Sequence, residues 1–298
     1  MRGWRGASRT PWWSCTAEGM SSAGTGLVRT KLASIGLSRL VLFLDFDGTL
    51  VPIATRPEKV ELNETVRRGL ERLARRIPVV LVSGRSVDDL RRIVGLRHLH
   101  YIGLHGFSYA EPGKPPSWLA ARPSRRIVCK WKQALEVVAG NIDGAWVEDK
   151  GISVALHDRQ VAPQDRRRLR RQTIKALWEW LYGEQIRLLA GKHVMEVLPA
   201  THCDKGTAVS WLLHEHWARS RIPVYLGDDV TDIPALELVG RSGVAIQVGS
   251  IPHAPRTCLR LANSTVVEDL LHDLANRLNH LGSRSLRAPG RRGSRPFK

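Results

Sequence analysis

Asp45 and Asp47 stand two residues apart at the end of an uninterrupted apolar run, in the stretch VLFLDFDGTL at residues 41–50. Four consecutive apolar residues read as a strand covered on both faces, since a half-exposed strand would alternate with polar positions. A carboxylate fixed at such a strand tip is placed to attack phosphorus and to carry the phosphoryl group as an acyl phosphate. The carboxylate two residues on can protonate the leaving alcohol and then activate water. Gly48 lets the backbone approach a phosphate closely, and Thr49 offers a hydroxyl. By itself an Asp-x-Asp pair is also what surface turns carry, so the reading depends on what else converges there.

Three further sites in the chain supply that. Ser83 follows the apolar run of IPVVLVSGR, Lys205 opens the helical pattern of KGTAVSWLLHEHW, and Asp228 and Asp229 end the strand-like IPVYLGDDVTD. In open parallel sheets, ligands bind beyond the carboxyl ends of the strands, so these ends meet at one site if the strands are neighbours. Three aspartates gathered there would repel one another unless a cation lay among them, and an all-oxygen ligand set favours Mg²⁺. Ser83 and Lys205 are suited to hold phosphoryl oxygens, the lysine also balancing charge as it develops.

The elements that must position these groups can be read from periodicity. Leu62, Val66, Leu70 and Leu73 predict a helix over Leu62–Arg76 with Asn63 as its cap, and Val87–Val94 predicts another. Short apolar strands alternating with amphipathic helices indicate an α/β, Rossmann-like sheet, mostly parallel and covered on both faces. The middle of the chain reads differently. GAWVEDKGISVALHDR and IRLLAGKHVMEVLP each predict an antiparallel hairpin, with a long helix between them near Pro163–Tyr182. They form a smaller α+β unit inserted into the main sheet. The expected division is a flexible arm over 1–37, a core over 38–111 and 199–278, a cap over 112–198 and a disordered basic tail over 279–298.

Composition narrows the class. The 298 residues are 43% hydrophobic and carry a formal net charge of +18, with no apolar run of the roughly 18 residues that a membrane span needs. Seven basic and no acidic residues lie between Leu274 and Lys298. That tail is too polar to fold, and its charge alone is weak support for a nucleic-acid partner. Cys15, Cys129, Cys203 and Cys258 are scattered, which fits neither a zinc site nor a disulfide framework and suits a reducing cytoplasm. His214 and His216 are two apart on a helical pattern, so they do not share a face for a metal.

DFDGTL, SGR, DKG ahead of a helix and GDDVTD, in that order, resemble the four motifs of the haloacid dehalogenase (HAD) superfamily of phosphatases. The insert resembles the second type of cap found in that superfamily. GLHG at Gly103–Gly106, VEDKGISVALHDR at Val147–Arg159 and GKHVMEVLP at Gly191–Pro199 are similar to the trehalose-6-phosphate phosphatases within it. The resemblance spans about Arg39 to Leu274. It implies Asp45 as nucleophile and Asp47 as general acid/base, with Ser83 and Lys205 as phosphate-binding catalytic partners. It implies Mg²⁺ at Asp45, the Asp47 carbonyl and Asp228, with Asp229 nearby. Substrate contacts are expected from Asp45, Phe46, Asp47, Gly48, Thr49, Gly84 and Arg85 in the core. In the cap they are expected from Glu148, Lys150 and Glu196, with His105, Arg187 and Lys192 as lesser candidates.

The expected activity is Mg²⁺-dependent hydrolysis of trehalose 6-phosphate by a cytoplasmic monomer, with a small sugar phosphate as its partner and neither membrane nor nucleic acid required. One departure stands out: Ile233, followed by Pro234, replaces the acidic residue that usually follows TD in the last motif. Two alternatives stay open at this point. One is the same chemistry on another sugar phosphate, such as sucrose phosphate or mannosyl-phosphoglycerate; the other is a non-catalytic regulatory copy.

Overall fold

The structure, a computed structural model, describes residues 17–54, 59–191 and 193–285, with side chains from 24 to 280 within those ranges. After helix α1 (Ala17–Ile35), strand β1 (Leu40–Asp45) is buried at every position. Helix α2 (Glu64–Ala74) follows, capped by Asn63, whose side chain accepts from the Thr65 amide at 2.9 Å. This satisfies an amide that the first turn leaves without a partner. Then come β2 (Val79–Val82), α3 (Val87–Val94), β3 (His100–Gly103), β4 (Ser108–Ala110) and β5 (Ser117–Trp118).

The insert is built from α4 (Arg125–Ala139), β6 (Trp146–Asp149), β7 (Val154–His157), α5 (Pro163–Ala176), α6 (Trp178–Tyr182), β8 (Ile186–Gly191) and β9 (Val194–Pro199). The chain then returns through α7 (Lys205–His214), β10 (Ile222–Gly227), α8 (Ile233–Gly240), β11 (Val244–Val248), β12 (Leu259–Leu261) and α9 (Ser264–Ser285).

Eight strands make the main sheet, in the order β12-β11-β10-β1-β2-β3-β4-β5. The first six run parallel, and β4 and β5 close the far edge antiparallel. β1 lies between β10 and β2, which is why its continuous apolar run is needed. Leu40, Leu42 and Leu44 face one layer, with α1, α2, α3 and α9, while Val41 and Phe43 face the other, with α7 and α8. A second sheet, β6-β7-β9-β8, is antiparallel throughout and has its own apolar core, in which Trp131 and Leu135 of α4 meet Val154, Leu156 and Val197. Leu104, Phe107, Ile152 and Leu198 form the apolar seam between the two units.

The expected boundaries shift in three places. The arm over 1–37 is helical from Ala17 to Ile35, and Val28 and Leu32 are fully buried against the main sheet. Residues before Ala17 lie outside the described residues. The core reaches past 111, because Ser117–Trp118 pairs with β4, and the insert begins with α4. Of the tail over 279–298, α9 continues to Ser285 and residues 286–298 lie outside the described residues. The helix expected over Pro163–Tyr182 is two helices that bend at Leu177. No described helix is long and apolar enough to cross a membrane.

Candidate active site

The carboxyl ends of β1, β2 and β10 and the start of α7 meet at one point, as the strand order requires. Lys205 Nζ lies 2.6 Å from Asp45 Oδ1 and 2.7 Å from Asp232 Oδ1. Lys205 is positioned by its own helix, whose first turn is closed by Asp204, which accepts from the Thr207 amide at 2.7 Å. Gly206 is required beside it, since a Cβ there would sit 2.8 Å from Pro234 of α8.

Asp45, Asp228 and Asp232 are buried, and their carboxylate oxygens cluster within 4.8 Å. Burial pushes the Asp45 carboxyl well up, and Asp232 and Asp228 add to this against the pull of Lys205. Burial works against the charge of Lys205, but Asp232 and Asp45 override it and hold the ammonium charged well above its ordinary range. Among the described residues, Lys205 bonds two of these three carboxylates, Asp45 and Asp232, in a place closed to solvent. Asp45 Oδ2 is buried without a hydrogen-bond partner among the described residues. Gly48, at φ +92°, leaves the space beside Asp228, where a Cβ would sit 2.1 Å from its carboxylate. Orphaned oxygen, clustered carboxylates and a cleared approach fit a hard divalent cation such as Mg²⁺.

On the other side of Asp45, Arg85 grips Asp47 with two parallel bonds, Nε to Oδ2 at 2.7 Å and Nη2 to Oδ1 at 2.8 Å. Its third donor reaches Asp89 at 2.8 Å. Burial lowers the guanidinium's affinity for its proton, but bonds to Asp47 and Asp89 outweigh this and raise it. Ser83 is buried at the end of β2, its hydroxyl accepting from the Arg85 amide at 3.1 Å. Gly84 leaves room for His105, whose Nε2 would be 2.4 Å from a Cβ there. Leu104 and His105 both adopt left-handed backbone, φ +53° and +56°, an uncommon conformation for such residues. His105 in turn meets Glu196 Oε2 of the insert at 3.0 Å.

The antiparallel sheet covers this floor. Alternation along its strands points Val147, Leu156 and Val197 into the insert's own core and sends Trp146, Glu148, His157 and Glu196 the other way. Together with the core loops they line a single cleft of about 730 Å³. Glu196 accepts from Ser153 Oγ at 2.6 Å and Lys150 Nζ at 2.8 Å. Its burial opposes ionisation, but Lys150 and His105 hold it well below the usual carboxylate range. Glu148 bonds His157 Nε2 at 2.9 Å; burial pushes its carboxyl up, but this bond together with the charge of Lys150 keeps it low.

Residues 43–257 match the family model described as trehalose-phosphatase. The chain belongs to that family. This trehalose-phosphatase family member is 31% identical over 250 residues to probable trehalose-phosphate phosphatase D of Arabidopsis thaliana, an overlap of 79% of this chain and 67% of that protein. It is 32% identical over 251 residues to the trehalose-phosphate phosphatase of Mycobacterium marinum, covering 82% of this chain and 63% of that one. The family member therefore spans about two thirds of the length of these relatives. Its fold is that of the C-terminal domain of C. albicans trehalose-6-phosphate phosphatase, with a TM-score of 0.74 at 23% identity over 85% of this chain and 96% of that chain. A haloacid dehalogenase-like hydrolase of Bacteroides thetaiotaomicron shares the architecture at a TM-score of 0.54 and 15% identity, over 80% of this chain and 99% of that one. The family member is a phosphatase by its family, with a HAD-like fold and an inserted cap.

Most of the residues expected at the site converge in this family member, and some are placed differently. Asp229 follows Asp228 on extended backbone, φ −126°, and stands outside the buried carboxylate cluster. Its carboxylate lies toward Gly191 of the cap, where a Cβ would be 3.4 Å away. Phe46 does not face the cleft. Its ring is fully buried in the core, with Arg85 Cζ 5.7 Å from its centroid. Thr49 is also fully buried, its hydroxyl 3.5 Å from Asp228, so it supports that carboxylate rather than a ligand. Arg187 donates to the Cys203 carbonyl at the seam, and Lys192 lies outside the described residues.

Asp232 emerges with a larger part than the motif alone suggested. It takes Lys205 and Tyr225 Oη on one oxygen and the Asp228 and Asp229 amides on the other. Trp146, His157 and Asp89 are site residues that the sequence reading passed over. For Trp146 and His157 the signal was present, since period-two alternation puts both on the face of Glu148. Ile233 begins α8 with ordinary helical backbone and packs on the apolar layer under α7, leaving the carboxylate arrangement intact.

Proposed function

We propose that this phosphatase hydrolyses trehalose 6-phosphate to trehalose and phosphate through an aspartyl phosphate on Asp45. The observation that carries the reading is a single cleft with Asp45 and Lys205 on its core side and Glu148, Lys150 and Glu196 on its cap side. The core end suits a phosphate and the cap end suits a body of hydroxyls, which need paired carboxylate and ammonium partners.

In the first step a carboxylate oxygen of Asp45 bonds to phosphorus as the ester bond breaks, and Asp47 delivers a proton to the departing sugar oxygen. In the second, Asp47 takes a proton from water as that water attacks phosphorus and Asp45 leaves. Arg85 fixes where the Asp47 carboxyl stands throughout, while Ser83 and Lys205 hold phosphoryl oxygens. Mg²⁺, held by Asp45 and Asp228, would neutralise charge on the phosphoryl group. The cap excludes bulk water and selects the ester. We place the protein in the cytoplasm as a monomer, in keeping with free thiols at Cys129, Cys203 and Cys258.

Phosphate release from trehalose 6-phosphate, measured with Mg²⁺ and with a chelator and beside glucose 6-phosphate and sucrose 6-phosphate, tests the reading. Mg²⁺-dependent release from the trehalose ester alone is the expected result. Equal release from all three would keep the chemistry and remove the substrate, and no release from folded protein would remove both.

A further inference from the structure

The two carboxylates of the cap are not equivalent. Glu196 is saturated: Oε1 accepts from Ser153, and Oε2 is shared by Lys150 and His105, all within 3.0 Å. It is buried to 3% exposure and ties cap to core. Glu148 is half-buried and uses one oxygen, Oε2, on His157, with no hydrogen bond to Oε1 among the described residues. The imidazole that holds it is itself clamped. His157 lies directly across from Trp146 in the register of β6 and β7, and the two rings are stacked with centroids 3.7 Å apart and planes within 5°. A ring stacked this closely loses its freedom to turn, so Nε2 stays aimed at Glu148.

We infer that His157, braced by Trp146, is a positioning residue that holds Glu148 as the hydroxyl-reading carboxylate of the cap. Neither ring need touch the phosphoryl group. Their part is to keep one carboxylate oxygen pointed into the cleft before substrate arrives, so that no rotamer must be frozen on binding. The inference rests on the sugar-phosphate reading above.

The test compares His157→Ala, Trp146→Ala and Trp146→Phe with wild type on trehalose 6-phosphate and on p-nitrophenyl phosphate, which has no sugar to read. Loss of a charge-assisted bond predicts that His157→Ala lowers kcat/KM for the sugar ester at least about tenfold more than for the aryl ester, chiefly through KM. Trp146→Ala should show the same split more weakly, and Trp146→Phe, which keeps a ring to stack, should restore it. Equal losses on both esters, or an unchanged KM, would overturn the inference. A second readout is independent of the substrate: ¹³C-detected titration of the Glu148 carboxyl should move upward in His157→Ala. A wild type that ignores trehalose 6-phosphate overturns the substrate reading alone, and the titration still decides the positioning claim. A Glu148 carboxyl indifferent to His157 would sink it.

Discussion

Arg85 holds Asp47 by both carboxylate oxygens at once, at 2.7 and 2.8 Å, in the planar fork that only a guanidinium can offer. The proposed general acid/base is thus fixed in position two residues beyond the proposed nucleophile, by a side chain from a different strand end. Arg85→Ala is expected to lower kcat about 10- to 100-fold while changing KM less, because the carboxyl loses its place rather than its chemistry. Arg85→Lys should recover little of this, since an ammonium cannot make both bonds. Steady-state kinetics on the two variants check it, and a variant with wild-type kcat would remove Arg85 from the mechanism.

Asp45→Asn tests the nucleophile against its surroundings. Turnover should fall at least about 1,000-fold, because no covalent route remains. The fold should survive, since the amide keeps the shape and relieves repulsion from Asp232 and Asp228. The checks are phosphate release and a thermal melt in chelator. A melting temperature at or above wild type with no turnover is the expected pair.

Gly48→Ala should break the cation site rather than the nucleophile. The backbone there is left-handed, φ +92°, and the added carbon would enter the Asp228 carboxylate. Strain of this kind costs about 1–3 kcal/mol. In melts with and without Mg²⁺, wild type should gain stability from the ion by mass action, and Gly48→Ala should gain little.

His100 sets a separate pH dependence, far from the catalytic chemistry. It is stacked on Trp217 at 4.1 Å and bonded to Tyr109 Oη at 2.8 Å. Burial, partly opposed by Glu111, pulls its pKa from 6.5 to about 4. The folded state keeps the ring neutral, so the unfolded chain binds the proton first and stability is lost as pH falls from 6.5 toward 4. Denaturant titrations should show wild type losing about 2 kcal/mol more than His100→Gln between pH 7 and 5. Identical slopes would show that the ring titrates freely in the folded protein.

The residues at strand ends were legible because a buried parallel strand has a continuous apolar signature, and a carboxylate at its tip interrupts that signature abruptly. VLFLDFDG and IPVYLGDD both announce themselves this way, and Asn63 and Lys205 mark helix starts by capping and pattern. What stayed hidden depends on distant partners. The fork of Arg85 on Asp47 joins two strands through one guanidinium, and nothing near residue 85 signals it. The part played by Asp232 arises only when Tyr225, Lys205 and the amides of its own loop surround it. α1 was misread because Ser and Gly dilute its pattern, while two buried residues, Val28 and Leu32, suffice to dock it. Phe46, which the resemblance puts among the substrate contacts, has its ring in the core instead, because strand alternation turns it away from Asp45 and Asp47.

The pairing of β1 with β10 has a consequence for how the protein is made. The nucleophile strand leaves the ribosome early, yet its neighbour in the sheet is separated from it by the whole cap, and Thr49 and the Asp228 it supports are 179 residues apart in the chain. At about 5–20 residues per second, the first aspartate waits many seconds for the second, during which β1 has an open edge. The cap, whose apolar core is drawn entirely from residues between those two strands, can collapse in the interval. The nascent chain can therefore complete the cap before the main sheet closes, and on the proposed reading hydrolysis begins only when the last strands arrive.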